Sequence, residues 1–489
     1  DCDAIHPGYG FLSESADFAE KCASAGIVFV GPTADTLRQF GDKAQARNLA
    51  VSSNVPVLRG TNQQTSLEEA ESFFLSLGQG ASIMLKALSG GGGRGMRPVR
   101  RVEDLEAAFV RATSEATKSF GSGDLYVEEM LYPARHIEVQ IVGDGEKVVH
   151  LWDRECSLQR QRQKLVEIAP AFGLSELTRD SIIDSAQKIA LAANYRGVGT
   201  IEFLVGADQA KRDEYVFMEA NARLQVEHTV TEEVTGLDLV AVQLRVAGGE
   251  GLDEIALDPD LIGAPKGVAV QVRVNLEKMN EDGSSIPGGG VLSTYEPPSG
   301  PGIRLDGFGY NGYSTSVLYD SLLAKLIVHS DSLDRAIIKA RRALSEFKIE
   351  GAPTNISFLQ SMLKNAPISE HQIHTLFVEE NIAELLSSEV DPSRYFLPPE
   401  KDLQKAGTQV DPDDPLAVLA LTGPAAKSQE LVTAEPEIMG PPGTVSVLAP
   451  LQGMIIDLSV SVGDEVKENQ PVAVMEALKM EHILKSEVS

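Results

Sequence analysis

Apolar and polar positions change rhythm along this chain, and the changes divide it into blocks. Near the C-terminus Ile455-Ile456-Asp457-Leu458-Ser459-Val460-Ser461-Val462 alternates and turns at Gly463-Asp464. Val472-Ala473-Val474 then leads into Ile483-Leu484 across a tight turn. That rhythm predicts the short strands of a small β module. Close to the start, Gly26-Ile27-Val28-Phe29-Val30-Gly31-Pro32 reads as a buried strand ending in a turn. Ile83-Met84-Leu85-Lys86 reads as a strand running into a glycine-rich loop. Thr200-Ile201-Glu202-Phe203-Leu204 and Tyr215-Val216-Phe217-Met218-Glu219 read as adjacent strands around a polar loop at 206–213. A helical period starts at Thr178 as N-cap, keeps Ile182, Ala186, Ile189 and Ala193 on one face, and stops near Gly197. The mixture predicts α/β and α+β units followed by an all-β unit. The expected boundaries are 1–56, 57–130, 131–386, a Pro-rich linker at 387–443, and 444–489.

At 489 residues and 43% hydrophobic, the chain can bury several cores, in about three domains. A net charge of −28 argues against a nucleic-acid partner, although a few gathered cations can still bind ATP. Cys2, Cys22 and Cys156 show neither metal-ligand spacing nor a disulfide framework, which points to a reducing, intracellular compartment. No signal peptide and no apolar run of membrane-spanning length is present, so no membrane association is expected. The chain opens on Asp1-Cys2-Asp3-Ala4-Ile5 without methionine, so its natural start, and any targeting segment, is expected upstream. Cytoplasm and mitochondrial matrix both stay open.

Three groups of residues carry chemistry. The first is Lys479 in Met475-Glu476-Ala477-Leu478-Lys479-Met480-Glu481-His482, expected at an exposed hairpin tip where a modifying enzyme can reach it. The second is Lys86-Ala87-Leu88-Ser89-Gly90-Gly91-Gly92-Gly93-Arg94-Gly95-Met96. Consecutive glycines let backbone N–H groups approach phosphate oxygens. The spacing fits neither a Walker A loop nor a Rossmann turn, and a flexible linker is the alternative. The third is the pair Glu202 and Glu219, which strand alternation can set on one sheet face, where Mg²⁺ takes one or two carboxylates plus phosphates. A solvated acidic face is the alternative there. In Asn221-Ala222-Arg223-Leu224-Gln225-Val226-Glu227-His228, alternation puts Asn221, Arg223, Gln225 and Glu227 on that side too. A guanidinium with a carboxylate suits holding and deprotonating a small planar oxyanion. His228, of opposite parity, reads as a packing residue.

Two resemblances connect these groups. Ala449-Pro450-Leu451-Gln452-Gly453, Val462-Gly463-Asp464-Glu465-Val466 and the run around Lys479 resemble the biotinyl carrier domain, although Leu478 stands where alanine is commoner. Roughly the first 385 residues resemble biotin carboxylase, an ATP-grasp enzyme. The matching segments are His6-Pro7-Gly8-Tyr9-Gly10-Phe11-Leu12-Ser13-Glu14, Gly41-Asp42-Lys43, the glycine loop and Arg135-His136-Ile137-Glu138-Val139-Gln140. They continue with Glu155-Cys156-Ser157-Leu158-Gln159-Arg160, the stretch from Glu219 to His228, and Tyr319-Asp320-Ser321-Leu322.

The resemblance implies an ATP-grasp carboxylase with an incomplete N-terminal domain, a lid and a C-terminal domain, then a linker and a partial biotinyl domain. Biotin would be covalent on Lys479, placed there by a biotin protein ligase. Lys43, Lys86, Gly91, Gly92, Gly93, Glu128, His136 and Gln159 would bind ATP. Glu202, Glu219 and Asn221 would hold Mg²⁺ or Mn²⁺. Lys164, Arg223, Gln225 and Val226 would hold bicarbonate, Glu227 would be its base, and Arg273 would stabilise the biotin enolate. Family members have histidine, near the ribose, where Arg162 stands, and they open with a strand and glycine turn that do not occur here. Without those strands the N-terminal domain could not close its sheet. A homo-oligomer and a carboxyltransferase, as domain or subunit, are the expected partners. A linker without an intervening carboxyltransferase resembles acyl-CoA carboxylases; a pyruvate or urea carboxylase and a non-catalytic carrier are the alternatives.

Overall fold

The computed structural model describes residues 2–394 apart from 62, 79–80, 89–95, 209–210, 259–261, 281–282, 317–318, 369 and 390. Towards the C-terminus it describes 447, 449, 454–461, 463–467, 470–477 and 480–486. Gly91, Gly92, Gly93, Lys479 and all but the first few residues of the expected linker lie outside the described residues. The chain forms two compact units, one of residues 1–313 and 322–392, the other of 314–321 and 393–489.

The first unit is built on an eight-stranded antiparallel sheet. Its order is Tyr215–Asn221, Arg196–Gly206, Ala134–Asp144, Val148–Arg160, Gln163–Ala169, Val268–Asn275, Leu322–Ser330 and Ile303–Gly307. In its first half Ile137, Val139, Ile141, Ile201 and Phe203 point to one face and meet Ile182, Ala186 and Ile189 of helix Glu176–Ala192. This is the helical face expected from the sequence. The cap is Ser175, whose side chain accepts from the Thr178 N–H, so Thr178 is the third helical residue rather than the N-cap. Helices Leu333–Glu346 and Ile356–Asn365 cover the second half. On the opposite face helix His228–Thr235 packs Val230 and Val234 against Ala169, Ala269 and Ile327. At the far end of that face helix Leu239–Ala247 packs Leu239, Val242 and Val246 against Val142, Val149 and Val198, and the polar part of the face carries the site.

A smaller sheet, ordered Met96–Val99, Ile83–Ala87 and Leu125–Glu129, is backed by helices Leu67–Ser76 and Leu105–Phe120. The expected buried strand at 26–32 is reduced to Val28–Phe29, paired in parallel with Ala4–Ile5. One partner and one covering helix, Ala16–Ser24, leave Val28 42% exposed. The second unit contains Met454–Leu458, Pro471–Ala477 and Met480–Lys485 as an antiparallel sheet. Its turn at Gly463 has a left-handed φ of 102° and is tied by Asp464 N–H to Ser461 O. Ala477 pairs with Met480. Among the described residues no helix is long and apolar enough to cross a membrane.

Candidate active site

Two glutamates meet through a β-bulge, not through simple alternation. Phe217 pairs with Phe203 in the apolar layer, and strict alternation would send Glu219 into that same layer. The register shifts between Phe217 and Glu219, so Met218 is extra and Glu219 pairs with Glu202. Glu202 pairs on its other side with Glu138, and Glu138 with Arg154. Four charged side chains therefore cross four strands in one row on the polar face.

Lys164 closes the row. Its ammonium bonds Glu138 at 2.6 Å, Glu202 at 3.0 Å and Glu227 at 2.6 Å. Arg154 is fully buried; it binds Glu138, Gln140 (2.6 Å), Thr231 (3.0 Å), Thr200 (3.1 Å) and Gln225 (3.4 Å). Arg273 spans Glu167 at 2.5 Å and Glu227 at 3.0 Å. Burial opposes ionisation of Glu227, yet Lys164, Arg273 and Arg154 outweigh it and hold the carboxyl well below the usual range. Burial likewise works against Glu202, and Lys164 and His136 overcome it. Glu219 shifts the other way, raised by burial and by the charge on Glu202. Two facing carboxylates pushed apart in this way, with the Asn221 amide 2.8 Å from Glu202, offer an oxygen-rich donor set that suits Mg²⁺. His136, Glu138 and Glu202 also bring ligand atoms within 4.8 Å of one another.

Of the sequence-predicted nucleotide residues that are described, Lys43, Lys86, Glu128, His136 and Gln159 gather at the Glu219 end. Lys86 pairs with Glu128 within the smaller sheet. Burial lowers the Lys43 ammonium, with Glu219 pulling it back up and Lys86 pushing it further down. His136 Nε2 lies 2.8 Å from Glu202, a contact that fits charge pairing but is out of line for a hydrogen bond. Gln159 Nε2 meets His136 Nδ1 at 2.7 Å. Arg162 sits with Gln161 at a hairpin tip where both φ angles are positive, and its guanidinium donates to the Met96 carbonyl at 3.2 Å.

The stretch after Asn221 is not a strand as expected. Pairing ends at Asn221, and the chain continues as a loop into helix His228–Thr235, with Glu227 in the N-cap position. Ala222 buries in the cluster with Ile201 and Phe203, Leu224 in the one with Val142, Val198 and Leu239, and Gln225 donates to Glu202 at 2.8 Å. Arg223 pairs with Glu14 at 3.1 Å and reaches Asn221 at 3.4 Å. The Val226 carbonyl accepts from Lys325 at 3.0 Å. His228 is buried against the Gln225 carbonyl, a packing position. Sequence reasoning gave no role to Glu138, Arg154, Glu167 or Lys325. The signal for the first was a polar residue at every second position, His136, Glu138 and Gln140, inside a strand whose other positions are Ile137, Val139 and Ile141.

Consecutive segments match known families. Residues 1–37 match "Biotin carboxylase, N-terminal domain", 42–255 "Carbamoyl-phosphate synthase L chain, ATP binding domain", and 271–380 "Biotin carboxylase C-terminal domain". Residues 445–489 match "Biotin-requiring enzyme". The solved biotin carboxylase of Campylobacter jejuni, a β-γ-ATP complex, is 38% identical; the match covers 77% of this chain and 82% of that one, with a TM-score of 0.72. The chain belongs to the biotin carboxylase family. Human mitochondrial pyruvate carboxylase is 45% identical to this chain over 382 residues, which are 78% of the chain and 32% of that enzyme. A single-chain, multi-domain long-chain acyl-CoA carboxylase is 36% identical over 99% of this chain and 41% of its own, with a TM-score of 0.67. The chain spans about a third of the length of the curated relatives it matches.

Proposed function

We propose that this chain uses ATP and bicarbonate to carboxylate biotin carried on Lys479, as the first half-reaction of a biotin-dependent carboxylase. The observation that carries the reading is Glu227 held between Lys164 at 2.6 Å and Arg273 at 3.0 Å. Bicarbonate is a poor electrophile, and phosphorylation by ATP converts it to carboxyphosphate. Bound at Glu202, Glu219 and Asn221, Mg²⁺ would neutralise charge on the phosphates. Lys43, Lys86, Glu128, His136 and Gln159 orient the nucleotide. Lys164, Arg223, Gln225 and the Val226 backbone hold bicarbonate. Glu227 cannot accept a proton while two cations bind it. An anion that takes Lys164 as its own partner weakens that hold, so the base becomes effective as its substrate arrives. Arg273 then faces the negative charge that develops on the ureido oxygen of the acceptor. Bicarbonate-dependent ATP hydrolysis, with streptavidin blotting of the full-length protein, tests the reading; hydrolysis indifferent to bicarbonate overturns it.

The final acceptor is proposed to be an acyl-CoA. Support comes from the match to the long-chain acyl-CoA carboxylase, which runs over 99% of the chain and takes in the C-terminal module. The first pyruvate carboxylases match over 77–78% of it. Pyruvate is the second reading, favoured by 44–46% identity over that shared part. Fixation of labelled bicarbonate into acyl-CoAs and into pyruvate, by the full-length protein with its carboxyltransferase, decides between them.

A further inference from the structure

The strand that carries Arg273 loses a neighbour just before reaching it. Gln163–Ala169 pairs with Val268–Asn275 from Ala269 to Val272, and on the other side the register to Leu322–Ser330 shifts between Val274 and Asn275. Leu322–Ser330 stays paired as far as Asn275, but on the edge that Gln163–Ala169 leaves beyond Val272 a single residue takes over. Asn355 Oδ1 accepts from the Asn275 N–H at 2.8 Å, and its Nδ2 donates to the Arg273 carbonyl at 3.0 Å. The Asn355 backbone N–H also donates to the Asn275 carbonyl at 3.1 Å. One N–H partner and one carbonyl partner leave the amide a single orientation. Asn355 is 1% exposed and begins helix Ile356–Asn365, which Phe358, Leu359, Met362 and Leu363 anchor in the core. Its amide does for this strand end what a peptide unit of an adjacent strand does elsewhere in the sheet.

We propose that Asn355 is a positioning residue for Arg273. It fixes the backbone from which the guanidinium spans Glu167 and Glu227, and so sets where that guanidinium meets the acceptor. The inference rests on the role proposed above for Arg273. Removing the clamp leaves a buried carbonyl and a buried N–H without partners at an irregular strand end, which lets the Arg273 Cα drift. A displacement near 1 Å at a reacting centre costs on the order of 10²-fold in rate.

The test uses full-length protein, free biotin as the probe, and two assays: biotin carboxylation and bicarbonate-dependent ATP hydrolysis. Asn355→Ala is expected to lose on the order of 10²-fold in biotin carboxylation, chiefly in kcat, while ATP hydrolysis and the KM for ATP hold. Asn355→Asp keeps the shape and the acceptor but cannot donate to the Arg273 carbonyl. It is expected to show the same selective loss, and it decides the matter alone if the alanine variant does not accumulate. A parallel loss of both activities, as a merely destabilised fold would give, overturns the proposal, and so does retention of both. A wild-type protein that does not carboxylate biotin overturns the functional reading first, and this inference with it.

Discussion

Glu219 stands directly across the sheet from Glu202 because Met218 is an extra residue in its strand. The bulge turns a side chain bound for the Phe203–Phe217 layer onto the face shared with Lys164 and Glu138. Glu219→Gln is expected to raise the Mg²⁺ concentration needed for half-maximal ATP hydrolysis and to lower turnover strongly, since one of two facing charges is gone. Deleting Met218 should remove the bulge yet keep the carboxylate on the polar face, because Glu219 then follows Phe217 directly and plain alternation turns it away from the apolar layer; the Mg²⁺-dependent activity should persist in that variant. A Mg²⁺ titration unchanged in Glu219→Gln speaks for a merely solvated acidic pair.

Arg273 and Glu227 touch, yet they act on different reactants. Arg273→Ala should depress biotin carboxylation by about 10²–10³ in rate, the usual effect of losing one oxyanion-stabilising donor. It should spare most bicarbonate-dependent ATP hydrolysis, since carboxyphosphate still forms and decays. Glu227→Gln should depress both. Steady-state assays of the two reactions on each variant check this, and equal proportional losses in both variants refute the division of roles.

Lys479 is expected to be the only biotinylated residue. Lys479→Arg should abolish acyl-CoA carboxylation and leave carboxylation of free biotin largely intact. Mass spectrometry of the full-length protein from biotin-replete cells reads the modification directly, and an unmodified Lys479 refutes the assignment.

Burial, together with the Lys325 ammonium, pushes the His228 imidazole from 6.5 down to about 4, against the pull of the Gln225 carbonyl; Arg154 and Arg304 add to the depression. Between those values the unfolded chain binds a proton that the folded chain does not. Stability contributed by neutral His228 is therefore complete above about pH 6.5 and is lost as pH falls towards 4, by about 3 kcal/mol in total. His228→Gln should remove that share of the slope. The stability difference between wild type and variant should shrink on acidification from pH 7 to 4.5 in urea unfolding; a constant difference refutes the assignment.

Much of this fold is legible because periodicity survives translation into packing. Ile182, Ala186 and Ile189 share a face on any α-helix, and they fill the core here. What escaped depends on chain segments far apart. Lys164, Glu138, Glu202 and Glu227 come from four places in the sequence, and nothing local says that one ammonium will bind all three carboxylates. The bulge is unmarked by glycine or proline; the expectation that Glu202 and Glu219 share a face holds, but through the extra residue Met218 and not through plain alternation. Ser175 and Thr178 are both plausible caps, and both hydroxyls reach Asp213, at 3.0 and 2.8 Å; only the backbone geometry separates them. The loop 222–227 loses strand-like sidedness along with strand pairing, since Ala222 and Leu224 fall into two different apolar clusters, which a two-residue rhythm does not foresee.

Arg154 has five N–H donors, and each has its own acceptor, with none of the side chain reaching solvent. Such a guanidinium has no freedom left to answer events above it. Lys164 and Arg273 can exchange a carboxylate for an incoming anion, but the cation beneath them stays where folding put it. The electric field at the base of the site is in that sense a property of the fold and not of the catalytic cycle. The orientational entropy of that charge is surrendered once, when the sheet forms, and none of it has to be surrendered again at each turnover.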